Sequence, residues 1–496
     1  MNLDPKWVPM KWPCGPLEIA RRSKSKSIAA DLKEMLEASV QPSALGLLQG
    51  TPVNCLVVDW ANGGPEDANQ QAALKPLLEA GHQMGISFVG RVAGREGPAA
   101  AVAAARAAGL AGVILAKPPN QPLELPHIMQ LALENLTAET ATDIFSTKES
   151  VWPGLNLETM SGDTAQAAPT GSPWVNSNAW FALLAEVLAP GKRLWLEFDP
   201  PESSSVSHPA NYGLAVADSW AYGSRWIISL DDSLRVALVK GDAAAKDIWA
   251  KLCGAVAFFE NHSAWENSKP LGMLAIVSDF RGDNAYLSEE VLNLLNRQTF
   301  QFQILERSNP LSALPPGVKA ILWLDKQAPG EEQHAHLLDF VRQGGLLISA
   351  AYWGPADVQP TRRDPSLQYL IYNVGKGQMA VAEGGFQAPD QVAGDSHLLV
   401  SRRNDLVRLY NPSTVNCLGR IEAGGKKQLI HVLNYSVKPA DGVTLWVNAQ
   451  VRAARFWSMG APEAAMVQGV AGSPGTEFAL PQLAVYCAFE FEGSNL

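Results

Sequence analysis

Residues 193–201 read RLWLEFDPP and residues 226–232 read WIISLDD. Each is a short apolar run that ends in paired acids. An apolar run of this length between turn signals is a buried strand, and a charge at its far end is costly unless it is paired or has work to do. Working outward, the same pattern recurs at Asn54–Trp60, Ile86–Val92 and Gly112–Lys117, with weaker versions at Trp7–Trp12, Val151–Glu158 and Ala255–Glu260. Amphipathic stretches such as ANQQAALKPLLEAGHQMG and AAAVAAARAAG separate the runs and close on glycine, where a helix C-cap is expected. Eight strand–helix units within about 265 residues fit the usual size of a (β/α)8 barrel. An open doubly wound sheet would want a glycine-rich phosphate turn after the first strand, and no GxGxxG lies there.

The chain has 496 residues, 47% hydrophobic and 18% charged, which reads as globular and as more than one domain. A formal net charge of −10 repels phosphate backbones, so no nucleic-acid partner is expected. No run of about 18 apolar residues appears, so no membrane span is expected. The opening MNLDPKWVPMKWPCG lacks a basic segment followed by an apolar run, so no export signal is expected in it. Cys14, Cys55, Cys253, Cys417 and Cys487 are odd in number and far apart, which disfavours a disulfide framework and a metal site. No cofactor motif is present.

The barrel is expected over residues 1–267. At Pro270 the pattern restarts. GMLAIVSDF, VKAILWLDKQ and GGLLISA alternate with helical segments, giving a flavodoxin-like α/β domain over 268–402. From residue 403 to 496, short strands such as LIHVLNY and LAVYCAFEF alternate with turn residues, giving an all-β antiparallel sandwich. The predicted order is thus a TIM barrel, a flavodoxin-like domain and a β-sandwich.

Barrel enzymes place their chemistry at the C-terminal strand ends. By that rule the rim collects Asp59 and Trp60, Arg91, Lys117, Glu158, Glu197 and Asp199, Asp231 and Asp232, then Glu260 with His262. Two carboxyl groups across one bond are what glycoside hydrolysis requires. Glu197 is the first candidate, with Asp231 or Asp232 on the adjacent strand as its partner. The plainer reading of these acids is a ring of ion pairs with Arg91 and Lys117. The loop TMSGDTAQAAPTGSPWVNSNAW offers Trp174 to stack on a sugar ring, and Asn176 and Asn178 to pair with hydroxyls. Asn178 can equally cap the helix that follows. His208 and Tyr212 lie in the next loop, where a lone histidine is more often merely solvated. A Schiff-base role for Lys117 would need that amine desolvated inside the barrel.

The middle domain resembles the class I glutamine-amidotransferase fold, but no cysteine lies between Cys253 and Cys417 to supply that fold's nucleophile. The order of all three domains resembles the three-domain β-galactosidases and related bacterial glycoside hydrolases. That resemblance implies a saccharide ligand, hydrolase activity and a homo-oligomer built through the middle domain. The family uses an Asn-Glu pair at the end of strand four and a Glu at the end of strand seven. In the strand order above, strand four ends in Lys117 and strand seven in Asp231–Asp232, so those roles do not carry over. A catalytically silent saccharide-binding protein on the same fold is the competing expectation.

Overall fold

The structure is a computed structural model. It describes the chain except residues 1–2, 25–26, 94–97, 141, 157, 161–163, 167–173, 202–208, 310, 312–313, 316, 365, 413, 423 and 493–496, and for 156, 158–160 and 164–166 it describes the backbone alone. The described chain divides into two compact units: residues 1–154, 176–178 and 189–263 form the first, and 155–175, 179–188 and 264–496 the second.

The first unit holds eight parallel strands: β1 Pro9–Lys11, β2 Cys55–Ala61, β3 Ser87–Val92, β4 Gly112–Leu115, β5 His127–Gln130, β6 Ile144–Thr147, β7 Arg193–Leu196 and β8 Arg225–Trp226. Each pairs with the next in sequence. Beyond β8, the parallel bridge Met10–Ile228 and the bonds Lys11 N–H to Ile228 O (2.8 Å) and Ile228 N–H to Pro9 O (2.9 Å) bring the last strand back to the first, closing the barrel.

Two expected strands are wrong. Val151–Glu158 does not join the barrel, and Ala255–Glu260 is the last part of a helix, Ala243–Asn261. Its apolar run is buried all round, with Leu252, Ala255, Val256, Phe258 and Phe259 inside, so it carries no helical stripe to read. The two strands actually present there, β5 and β6, are four residues each, and the stretches that lead into them, 116–126 and 131–143, contain no α-helix. Two omissions and two false strands cancel, so the total of eight survives while the numbering shifts. The strand ending at Glu197 is the seventh, and the one leading to Asp231 is the eighth.

A strand side chain alternates between faces, so residues two apart share one. Cys55, Val57, Val89, Ile114, Ile128, Ile144, Trp195 and Ile227 meet in one buried apolar cluster. One pleat step further along five of these strands stand Asp59, Arg91, Gln130, Glu197 and Ser229. The same inward face is apolar below and polar at the C-terminal end, which is what puts a charged ring above a dry floor.

The second unit carries a seven-stranded sheet in the order Phe302–Glu306, Leu274–Ser278, Ala320–Trp323, Leu346–Ser349, Gly377–Ala382, Tyr369–Val374, Arg362–Asp364. Its first five strands are parallel and the last two antiparallel. A six-stranded and a four-stranded antiparallel sheet follow, sharing a core of Ile430, Val432, Leu445, Val447, Phe478 and Phe489. Among the described residues, no helix is long and apolar enough to cross a membrane. All five cysteines are buried free thiols.

Candidate active site at the barrel rim

Glu197 leaves β7 with its backbone N–H still bonded to Thr147 O at 2.8 Å, so its direction is set by the barrel itself. The side chain is 10% exposed. Arg91 meets both its oxygens, Nη2 to Oε2 at 2.9 Å and Nη1 to Oε1 at 3.3 Å. Gln130 donates from Nε2 to Oε1 at 3.0 Å. Every one of these partners is a side chain from the inward face.

Arg91 also faces Asp59, Nε to Oδ1 at 3.8 Å. Asp59 is held at its backbone, where Gln70 Nε2 donates to Asp59 O at 2.9 Å. Burial beneath the rim raises the Asp59 carboxyl above its ordinary value, and the charge of Arg91 offsets only part of that. A second pair lies beside this one. Lys11 Nζ sits 2.6 Å from Asp199 Oδ2, and Ser229 Oγ donates to Asp199 Oδ1 at 2.6 Å. Burial pushes the Asp199 carboxyl up, but the charge and hydrogen bond of Lys11 and the bond from Ser229 outweigh it, and the group is held below the ordinary range.

The remaining expected site residues lie elsewhere or are already engaged. Asp231 is the N-cap of the helix Asp232–Val239: its Oδ1 accepts from Leu234 N–H at 2.9 Å and from Ser233 Oγ, and its Oδ2 accepts from Tyr212 OH at 2.7 Å. Asp232 is paired with Arg22, which also holds the buried Glu18 through Nε at 2.6 Å. Trp60 has the wrong parity for the interior; it is 1% exposed and donates to Ala101 O at 2.9 Å. Lys117 lies past the end of β4 and is exposed, so the desolvation a Schiff-base amine needs is absent. Glu260 is on a helix and accepts from Trp220 Nε1 at 3.1 Å and from Arg225. His262 ends that helix, its Nδ1 2.7 Å from Phe258 O.

Trp174 belongs to the second unit, and the Arg297 guanidinium lies 3.2 Å from its ring centroid. That face is taken by a cation, not left for a sugar. Asn178 is 1% exposed and spent on backbone, accepting from Val151 N–H at 2.8 Å and donating to Val151 O at 2.9 Å. Asn176 is half-buried. The side chain of Glu158 and the whole of His208 lie outside the described residues. Tyr212 is fully buried.

Sequence reasoning missed Lys11, Gln130, Ser229 and Trp152. Gln130 and Ser229 carry no charge to mark them, but the parity rule finds them once β5 and β8 are placed. Among the described residues, no group of three or more His, Cys, Asp or Glu side chains could hold a metal.

In overall fold the chain is similar to the α-L-fucosidase isoenzyme 2 of Paenibacillus thiaminolyticus, with a TM-score of 0.57 at 12% identity over 93% of this chain and 96% of that one. It shares a glycosidase-like fold with that structure. A β-galactosidase from Bacillus circulans sp. alkalophilus aligns over 98% of this chain and 89% of that one at 10% identity, with a TM-score of 0.47, too low to argue from. No family model matches the chain. No curated protein matches it in sequence.

Proposed function

We propose that the barrel rim binds and hydrolyses a glycoside, with Glu197 as the carboxylate at the reacting carbon and Asp59 as the proton donor to the leaving oxygen. The observation that carries this reading is the clamp on Glu197: an inward carboxylate directly after the seventh strand, oriented by Arg91 and Gln130 and by no backbone group. The corrected strand count moves Glu197 to the strand end where the three-domain β-galactosidase pattern has its carboxylate. The fourth strand still lacks that pattern's Asn-Glu pair, so the acid must come from elsewhere. Asp59 meets two requirements of an acid. Burial raises its carboxyl, favouring the protonated form. It also touches the same guanidinium as Glu197, which keeps the two carboxyls no farther apart than the about 9.5 Å upper limit for such pairs. Likeness of fold to a fucosidase supports a saccharide as the ligand.

One observation favours a second reading, a saccharide-binding protein without turnover. Both Glu197 oxygens are occupied, and the side chain is nearly buried, so attack on a sugar requires Arg91 to yield. Aryl-glycosides of several configurations, offered to wild type, Glu197→Gln and Asp59→Asn, separate the two. Hydrolysis that falls about 10²–10⁴-fold in Glu197→Gln supports catalysis. Calorimetric binding of a glycoside with no hydrolysis by wild type supports the second reading. Hydrolysis that survives Glu197→Gln overturns the assignment.

A further inference from the structure

Four aromatic rings from the loops and helix after β6, β7 and β8 form a nest at the rim: Trp152, Phe198, Tyr212 and Trp226. Phe198 and Trp226 stack at 5.2 Å with planes 4° apart, and Tyr212 continues the stack 6.3 Å from Trp226 at 28°. Trp152 stands across all three, 5.8 Å from Phe198, 5.8 Å from Tyr212 and 5.7 Å from Trp226, at 80°, 90° and 77°. A ring nearly equidistant from three stacked rings lies along the side of the stack, backed by their edges. Edge-to-face packing of this kind fixes an aromatic ring firmly. Phe198, Tyr212 and Trp226 are buried, and Trp152 alone is only half-buried.

The backbone next to this ring is fixed as well. Asn178 grips both the N–H and the C=O of Val151. Asn178 is itself held by Asp218, a carboxylate 0% exposed, whose Oδ2 accepts from Asn178 N–H at 2.9 Å and from Asn178 Nδ2 at 2.8 Å, while Oδ1 accepts from Ser177 Oγ at 2.8 Å. A charged group this deep, spent on one loop, is an expensive way to hold a surface residue in place. It is reasonable where the residue must not move.

We propose that Trp152 is the platform on which a sugar ring stacks at this rim, which makes the ligand a pyranose with an unbroken apolar C–H face. Phe198 directly follows Glu197, so the platform is backed by the same strand end that carries the candidate carboxylate. The role expected of Trp174 thus passes to a tryptophan whose ring is backed by aromatic edges rather than capped by an arginine. The inference rests on the saccharide reading of the rim, and it fails separately from it.

The test is 19F NMR of protein carrying 5-fluorotryptophan, titrated with methyl pyranosides of galacto, gluco, manno and fuco configuration. Trp152→Phe identifies the Trp152 resonance by its loss. At least one pyranoside is expected to move that resonance. Trp152→Ala is expected to weaken binding about tenfold, and Trp152→Phe, which keeps an aromatic face, by less. Should Trp152→Ala fail to fold, the resonance shift and Trp152→Phe decide. A pyranoside that binds or is hydrolysed without moving the Trp152 resonance, and as well in both variants, overturns the platform and leaves the rim's function standing. No binding and no hydrolysis of any pyranoside removes the saccharide reading, and the platform with it.

Discussion

The molecule places an arginine between two carboxylates at parallel strand ends twice, and the two sites differ in what else the acids hold. In the second unit, Arg307 meets Asp325 at 2.9 Å and Asp279 at 3.9 Å. There the acids also bind backbone: Asp325 accepts from the N–H of Asp279 (3.0 Å) and of Gln327 (2.8 Å), and Asp279 from that of Arg281 (3.1 Å). In the barrel, Arg91 lies between Glu197 and Asp59, and both carboxyls are met only by side chains. A carboxylate that satisfies backbone N–H groups defines the path of a turn. One that answers only to side chains can exchange partners without moving the chain. This contrast, more than charge or burial, separates acids that build the fold from acids that can act.

The sharpest way to break the contrast is to remove one acid from each site. Glu197→Gln keeps the size and one acceptor, so hydrolysis is expected to fall about 10²–10⁴-fold while the thermal midpoint hardly moves. Asp325→Ala is expected to do the reverse. It strips two backbone N–H groups and Arg307 of their acceptor in a site where the Asp325 side chain is 0% exposed, and about 3 kcal/mol of stability should go, read by chemical denaturation. A large stability loss in Glu197→Gln would show that the barrel acids are structural too.

Asp231 tests the same criterion within the barrel unit. Its capping bonds class it with Asp325, although in sequence it looks like Glu197: each follows an apolar run at a strand end. Asp231→Ala should therefore cost about 1 kcal/mol of stability, the loss of one N-cap, with glycoside binding unchanged. Weaker binding at unchanged stability would return Asp231 to the site.

That pair also marks what the sequence makes legible. The inward parity of Asp59, Arg91 and Glu197 follows from alternation along strands rich in Val, Leu and Trp, and needs no coordinates. The path of the chain after the strand does not follow from alternation. At Leu196 the chain runs on past Glu197 and Asp199 into loop, whereas past Ser229 it turns at once into a helix that claims Asp231 as its cap. β5 and β6 were illegible for a different reason: four residues give too few alternations to outweigh the proline and polar residues around them, and no helix between them marks a βα unit. The contact between Arg91 and Glu197 spans 106 positions of sequence, a pairing that only barrel closure creates.

The smallest effect is the most discriminating, because the contrast predicts opposite signs for two neighbouring acids of the rim. Burial raises the Asp59 carboxyl above its unfolded value of about 3.9, so ionised Asp59 opposes folding; the penalty is present at neutral pH and disappears as pH falls through the folded value towards the unfolded one. Asp199 is held below its unfolded value despite burial, because of Lys11 and Ser229, so it contributes stability above about pH 3.9 that is lost as pH falls through its folded value. Asp59→Asn should therefore be slightly more stable than wild type at pH 7, and Asp199→Asn slightly less. Both differences should shrink towards zero in acid. Melting curves of the three proteins from pH 3 to 7 measure this directly. If both variants shift the same way at neutral pH, Asp59 is an ordinary ion-pair acid of Arg91, and the proton donor must be sought among other groups of the rim.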